Sequence, residues 1–426
     1  MPWLLLLLSV WGALGTLAAY HPTRHGRLRF VLSFFVGFIT IELAPHIVAW
    51  QVAGAAVLVA WGALDSWPGW LGLAIAVVSW TLLLVCVLQS RRSAVVMREV
   101  LADLAGDEPG PKVPLVSKLF PLIPFRAGVR VVRNVGYCTV AGKHLKLDVY
   151  QPKGVRPGER RQAVLQIHGG AWVLGDKREQ GIPLMHHLAA SGRVGFNVNY
   201  RLSPGATFPD HLVDLKRALS WIREHAGAYG ADPDDVVVTG GSAGGHLAAL
   251  LALTANDPRY QPGFEDVDTS VTAAVPFYGV YDLTNRSGQY DESFHKVLLE
   301  PLVMKAFHDD EPEKFVEASP IDQVHADAPP FLVIHGDRDS LAPVSDARLF
   351  VERLRAVSSE PVLYAEMHGS QHAFDIFPSI RSAHAIEGVE RFLTALRRRR
   401  LDAGDEARLD EEVAGTGAER VESAMD

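Results

Sequence analysis

"TGGSAGGHLAALLALTA", residues 239–255, sets one serine between two glycine pairs at the start of an apolar, helix-like run. The preceding "DVVV" is β-branched, so the stretch reads as a strand, a sharp turn and a helix. In such a turn the nucleophile would be Ser242, on a strained backbone position. Glycines two residues to either side, Gly240 and Gly244, would let neighbouring chains approach without a side-chain clash. The helix behind the turn brings unpaired N–H groups, Ala243 first, and a partial positive charge where an oxyanion would develop. Taken alone, the pattern suits a flexible glycine loop equally well, and the rest of the chain has to decide.

Working outward, short β-rich runs alternate with longer amphipathic ones. The strand candidates are "VRVVRNV" (129–135), "LKLDVY" (145–150), "AVLQIH" (163–168), "GFNVNY" (195–200), "DVVVTG" (235–240), "AAVPFYG" (273–279), "FLVIHG" (331–336) and "VLYAEM" (362–367). Helix-like segments such as "DHLVDLKRALSWIREH" and "SDARLFVERLRAV" lie between them. The first two strands sit close enough for an antiparallel edge. From Ala163 onward the alternation implies an α/β fold, a mostly parallel, doubly wound sheet covered on both faces. Residues 283–325 break the rhythm. That length between two strands is expected to form a lid, with a surface excursion as the alternative.

Three further elements bear on Ser242. Strand "AVLQIH" ends in His168-Gly169-Gly170-Ala171-Trp172, where the N–H groups of Gly169 and Gly170 could turn into a pocket. With the Ala243 N–H they would form an oxyanion hole, and Ala171 N–H could contribute. Trp172 beside it would line an acyl pocket or pack against the lid. Downstream, "FLVIHGDRDSLAP" places acids after one strand, and "VLYAEMHGSQHAFD" places His368 and His372 after the next. The order Ser…Asp…His is that of a strand-borne acyl-transfer triad, and all its parts follow strand ends, where open α/β sheets bind ligands. The spacing of His368 and His372 would suit a metal on a helix, but Gly369 and the position after a strand argue for a loop. His335, His186 and His187 carry no role that the sequence argues.

From about residue 125 to 397 the chain resembles the α/β-hydrolase superfamily, in particular the esterases related to hormone-sensitive lipase. The resemblance rests on "HGGAW", "NYRLSP", "GGSAGGH", "HGDRDSLAP" and "HAF". It aligns Asp339, rather than Asp337, with the triad acid, and His372, rather than His368, with the base. With its hydrophobic N-terminus the whole chain is similar to the membrane-associated Lip-type carboxylesterases of mycobacteria. Two departures stand out: Ala171 replaces a third glycine after HGG, and Gly241 stands where many members carry aspartate. The resemblance implies hydrolysis of carboxylic esters, lipidic or of short to medium acyl length, with neither metal nor organic cofactor. An amidase, arylformamidase-like hydrolase or acyltransferase could use the same triad. A catalytically inactive membrane scaffold is the non-enzymatic alternative.

The apolar excess is concentrated in the first ninety residues of the 426. "MPWLLLLLSVWGALGTLAA" (1–19) has no charge and is about long enough to cross a hydrocarbon core; without a basic n-region it reads as a span rather than a signal peptide. Phe30–Leu64, interrupted at Glu42, Pro45, His46 and Gln51, would be roughly 50 Å long as one helix. It is therefore either one span plus an interfacial piece or two short spans broken at Pro45. "WLGLAIAVVSWTLLLVCVLQ" (70–89) is a further span, ending at Arg91 and Arg92. With Arg24, Arg27 and Arg29 on one side of the membrane and Arg91, Arg92 and Arg98 on the same side, three spans and a cytoplasmic catalytic domain are expected. Glu42 is read as a turn or interface residue.

The expected organisation is thus a membrane region over 1–92, a linker over 93–124, the hydrolase over 125–397 and a disordered acidic tail over 398–426. The arginines at 397–400 would complement the end of the preceding helix, or bind anionic lipid. A net charge of −8 gives no reason to expect nucleic acid as a partner. The two cysteines, Cys86 and Cys138, make no disulfide framework.

Overall fold

The computed structural model describes residues 1–23, 27–106, 110–122 and 128–422, without the side chains of 27–32 and 404–422. Arg24, the side chains of Arg27 and Arg29 and the last four tail residues fall outside that description. Four helices open the chain: α1 (Pro2–Tyr20), α2 (Arg27–Glu42), α3 (Ala44–Ala60) and α4 (Trp67–Ala105). Among the described residues, α1 and α4 are long and apolar enough to cross a membrane, and the paired segments Ser33–Glu42 and Ala44–Ala60 meet at 87°. The bend falls where Pro45 enters the first turn of α3, a position that tolerates its missing N–H.

α1 and α4 run side by side in the same direction. Trp3 packs against Trp67 (5.6 Å), Thr16 Oγ1 lies 2.6 Å from Ser79 Oγ, and the Tyr20 hydroxyl donates to the Leu82 carbonyl (2.8 Å). α3 runs against them, with Gln51 accepting from Trp80 Nε1 (2.9 Å) and Leu58 clustered with Leu5. At 39 residues, α4 is about 58 Å long, nearly twice the hydrocarbon thickness. Its second half carries Val96, Met97, Val100, Leu101 and Leu104 on one stripe. Met97 and Leu101 are buried there with Val389 and Phe392. The expected linker therefore begins as helix, packed on the body that holds the sheet.

After the short α5 (Leu115–Leu119) come β1 (Val129–Val140), β2 (Lys143–Pro152), β3 (Arg161–Ile167), α6 (Ile182–Ala190), β4 (Val194–Val198) and α7 (Asp210–His225). β5 (Ala231–Gly241), α8 (Ala243–Leu253), β6 (Ala273–Phe277), α9 (Pro312–Glu317), β7 (Phe331–Gly336), α10 (Val344–Val357), β8 (Val362–Met367) and α11 (Ile380–Glu422) complete the chain. The eight strands form one sheet in the order β1-β2-β4-β3-β5-β6-β7-β8. β1 pairs with β2, and β2 with β4, antiparallel; the other pairs are parallel. All eight strands coincide with the sequence candidates. One apolar layer, with Leu212, Leu219 and Leu250, lies on one face, and a second, with Leu188, Val389 and Phe392, on the other.

Residues 283–325 pack as a helical layer that includes a π-helical segment, Phe294–Met304, and α9. Leu299, Val303, Phe315 and Ile321 are buried in the core, and the Ala318 carbonyl sits 2.7 Å from His246 Nε2 on α8. The C-terminal stretch departs from expectation. α11 continues to Glu422 through "LDAGDEARLDEEVAGTGAERVE", a stretch rich in the helix formers alanine, leucine, glutamate and arginine. Nor do the arginines mark a helix end: Arg397 lies 3.6 Å and Arg400 2.8 Å from Asp235 at the base of β5.

Asp346, in the first turn of α10, is buried beside the insertion and accepts from Ser287 Oγ (2.9 Å). Burial, reinforced by the Asp282 carboxylate, pushes its carboxyl up to about 6. The folded chain then holds a proton that the unfolded chain releases near pH 4, so stability falls as pH rises between those values, by about 3 kcal/mol in all. Asp346→Asn should abolish that fall: the variant's melting temperature relative to wild type, followed in detergent, should rise from pH 4 to pH 7. A difference that does not vary with pH would contradict the assignment.

Candidate active site

β5 ends at Gly241 and α8 begins at Ala243, leaving Ser242 between them at φ 59°, ψ −124°. A non-glycine residue there is strained and persists only if its neighbours hold it. The Ser242 N–H donates to the Phe277 carbonyl (3.0 Å), and its own carbonyl accepts from His246 N–H (2.9 Å). The flanking glycines are a matter of room. A Cβ at 244 would lie 2.2 Å from the Ile167 carbonyl oxygen, and one at 240 would lie 2.5 Å from the Gly244 carbonyl oxygen.

Gly241 has a different cause. A Cβ there would meet the Tyr278 hydroxyl at 2.6 Å. That hydroxyl donates to the buried Asp375 carboxylate, and the Tyr278 ring packs 4.5 Å from the His372 ring. The space an aspartate would need before the serine is thus filled by Tyr278, which also buttresses the histidine. Neither Tyr278 nor Asp375 was singled out from the sequence; the "HAFD" run contained the only local signal.

The turn after β7 and the turn after β8 come together. His372 Nδ1 lies 2.7 Å from Asp339 Oδ2, with Asp339 fully buried and His372 nearly so. Asp339 Oδ1 accepts from Leu341 and Ala342 N–H groups (2.8 Å each), and His335 Nε2 lies 3.3 Å from Oδ2. Burial alone would raise this carboxyl. The His372 charge and the hydrogen bonds from both histidines outweigh it and hold Asp339 far below the usual range. His335, which had no assigned role, therefore stands beside the acid. Gln371 fastens the two turns, its Oε1 accepting from Ser340 N–H (2.7 Å) and His372 N–H (2.9 Å). Asp337 and His368 pair with each other instead, at 3.3 Å on the surface. Among the described residues, Ser242 Oγ and His372 Nε2 have no hydrogen-bond partner.

The turn after β3 passes close to the serine. A Cβ on Gly169 would lie 2.9 Å from Ser242 Cβ. The Gly169 N–H is engaged by Gln180 Oε1 (2.7 Å), which removes it from the expected oxyanion donors. No hydrogen bond among the described residues engages the N–H groups of Gly170, Ala171 or Ala243. Ala171 (φ 51°) and Trp172 (φ 61°) share the left-handed region, a strained turn held open by its surroundings. Trp172 does not face an open pocket. It is 1% exposed, and its Nε1 donates to His246 Nδ1 (3.2 Å), so it joins α8 to the insertion through Ala318. Burial lowers the His246 imidazole to about 4, which keeps it neutral in that chain.

The base-bearing turn is also tied to the N-terminal helices. Phe34 of α2 packs edge-on to His372 (6.1 Å between ring centres), and Phe38 stacks on Phe377 (5.5 Å). Glu42, 3% exposed, accepts from Ser379 Oγ (2.6 Å) and from Arg381, which also donates to the carbonyls of His368 (3.3 Å) and Gly369 (3.2 Å). Glu42, expected as a turn or interface residue, instead forms a buried ion pair that joins α2 to the start of α11. Removing one charge of a buried pair leaves the other uncompensated, at about 3–5 kcal/mol. Glu42→Gln should therefore lower the melting temperature of the full chain in detergent by several degrees, and an unchanged value would contradict the pairing.

Comparison with known proteins follows this geometry. Residues 147–354 match the BD-FAE family, a range that takes in Ser242 and Asp339 and ends before His372. The chain is 49% identical over 255 residues to LipM, a probable carboxylic ester hydrolase of Mycobacterium tuberculosis, covering 59% of this chain and 58% of that one. It is 45% identical over 265 residues to the esterase LipQ of the same organism, covering 62% of each. The match thus spans less than two thirds of either relative's length. Among solved structures, a thermophilic esterase from Thermogutta terrifontis with propionate bound is similar, with a TM-score of 0.54 and 26% identity, over 64% of this chain and 95% of that one. These likenesses bear out the resemblance read from the motifs: the body has the α/β-hydrolase fold seen in that esterase and is similar in sequence to mycobacterial esterases.

Proposed function

We propose that the chain is a membrane-anchored serine carboxylesterase that cleaves carboxylic esters through an acyl-enzyme on Ser242. The observation that carries this reading is the strained Ser242 turn in the same edge of the sheet as the 2.7 Å His372–Asp339 bond. His372, oriented by Asp339, takes the Ser242 proton as Oγ attacks the ester carbonyl. The tetrahedral oxyanion is held by the N–H groups of Gly170, Ala171 and Ala243, each worth about 3 kcal/mol when aimed at the developing charge. His372 then protonates the departing alcohol, and water, activated the same way, releases the acid. Asp339, kept ionised by its surroundings, stabilises the imidazolium formed in each step.

The anchor follows from helix direction. α1 and α4 are parallel, so the chain has to return between them. α3, antiparallel to both, makes that return, while α2 lies across the hydrolase body at the membrane surface. The body adjoins the C-terminal ends of α1 and α4, where Arg338 lies over the Tyr20 ring at 5.0 Å. Arg91, Arg92 and Arg98 mark the same end of α4, which puts the catalytic body in the cytoplasm by the bias of basic residues.

The test uses the full chain in detergent with p-nitrophenyl esters from acetate to palmitate. Ser242→Ala should reduce kcat by about 10⁴-fold or more and abolish labelling by a fluorophosphonate. Hydrolysis unaffected by Ser242→Ala would overturn the assignment.

A further inference from the structure

Between α5, α6 and the turn Ile376–Pro378 lies a cavity of about 500 Å³, within the range of roughly 300–1,000 Å³ seen for small-molecule sites. Val113, Pro114, Leu122, Ile182, Pro183 and Phe377 make its walls largely apolar. Its two cations are already matched. Lys112 pairs with Glu387 (3.0 Å) and Arg178 with Asp148 (2.9 Å), and Glu179 adds a carboxylate, so the described lining holds no unpaired lysine or arginine for an anionic ligand.

One side of the cavity adjoins the N-terminal helices. Phe377 stacks on Phe38 of α2, and the Leu119 carbonyl of α5 lies 3.0 Å from His46 Nε2 at the start of α3. Beside the mouth, Leu115, Leu119, Phe120 and Leu122 are each more than half exposed, an apolar edge that water does not reward but a bilayer surface would. The other side approaches the reacting groups. Glu179 and Ile182 flank Gln180, which holds the Gly169 N–H next to Ser242, and Ile376 follows His372 by four residues.

We infer that this cavity receives the aliphatic chain of a membrane-resident ester, drawn sideways from the leaflet so that its carbonyl lies at Ser242. The inference rests on the serine-esterase reading and adds the class of substrate and the place where its chain binds. Apolar contact along such a channel makes affinity depend on chain length, each buried methylene being worth about fourfold.

The full chain in lipid nanodiscs is treated with a hexadecyl fluorophosphonate carrying a diazirine at the chain end, then illuminated and digested. Serine oxygen displaces fluoride, and the chain end crosslinks to whatever encloses it. Labelling of Ser242 with crosslinks in 111–122 or 182–191 is the expected result. Labelling of Ser242 with crosslinks only in 283–325 would overturn the cavity assignment and leave the esterase reading standing. Absence of Ser242 labelling would overturn the esterase reading itself. Independently, Ile182→Trp should lower the ratio of kcat/KM for p-nitrophenyl palmitate over butyrate at least tenfold, and an unchanged ratio would also overturn the proposal.

Discussion

The arrangement depends on how closely α8 can approach β3. With the Ile167 carbonyl oxygen 2.2 Å from where a Cβ at position 244 would stand, only glycine lets the helix start directly against the sheet. That closeness leaves Ser242 no room for a relaxed backbone, and the bonds to Phe277 and His246 hold it at positive φ. The same crowding brings the turn after β3, which carries the unengaged Gly170 and Ala171 N–H groups, against the serine. A wider helix–sheet gap would relax the serine and separate those donors.

Around this turn lies a buried polar network whose members satisfy one another. Asp339 is desolvated, yet two backbone N–H groups and two histidines surround its carboxylate, which favours the ionised form over the neutral one. Gln371 links the acid and base turns through two backbone N–H groups, and Tyr278 wedges between Gly241, Asp375 and His372. Such a network rigidifies the histidine only while each partner is present. The tyrosine also explains the glycine before the serine, since two side chains cannot occupy one space.

The N-terminal helices are more than a tether. Phe34 and Phe38 pack on the turn that carries His372, and the Glu42–Arg381 pair buries opposite charges at the junction. α4, about 58 Å long, continues past its apolar first half to pack against α11. These contacts join the apolar N-terminal helices directly to the turn that carries His372.

The sequence by itself determined the strands, the sheet's mostly parallel order and the three turns that bear Ser242, Asp339 and His372. These are local properties: β-branched runs, glycines where backbone crowds backbone, and turn residues at strand ends. It could not separate the Gly169 N–H from its neighbours or show that Trp172 faces His246 rather than a pocket. Nor did it identify Tyr278, Gln371 and His335 as supports of the site. Two of these contacts are close in sequence, Gly169 with Gln180 and His335 with Asp339, and the others join residues 31 to 94 apart, but each depends on how the folded turns bring side chains together. The structure also continues α4 as helix into the residues read as linker and α11 to Glu422 in the stretch read as a disordered tail. Only the tertiary structure decided how Asp339, His372 and α2 meet, because contact between distant segments is a property of packing and not of any one stretch.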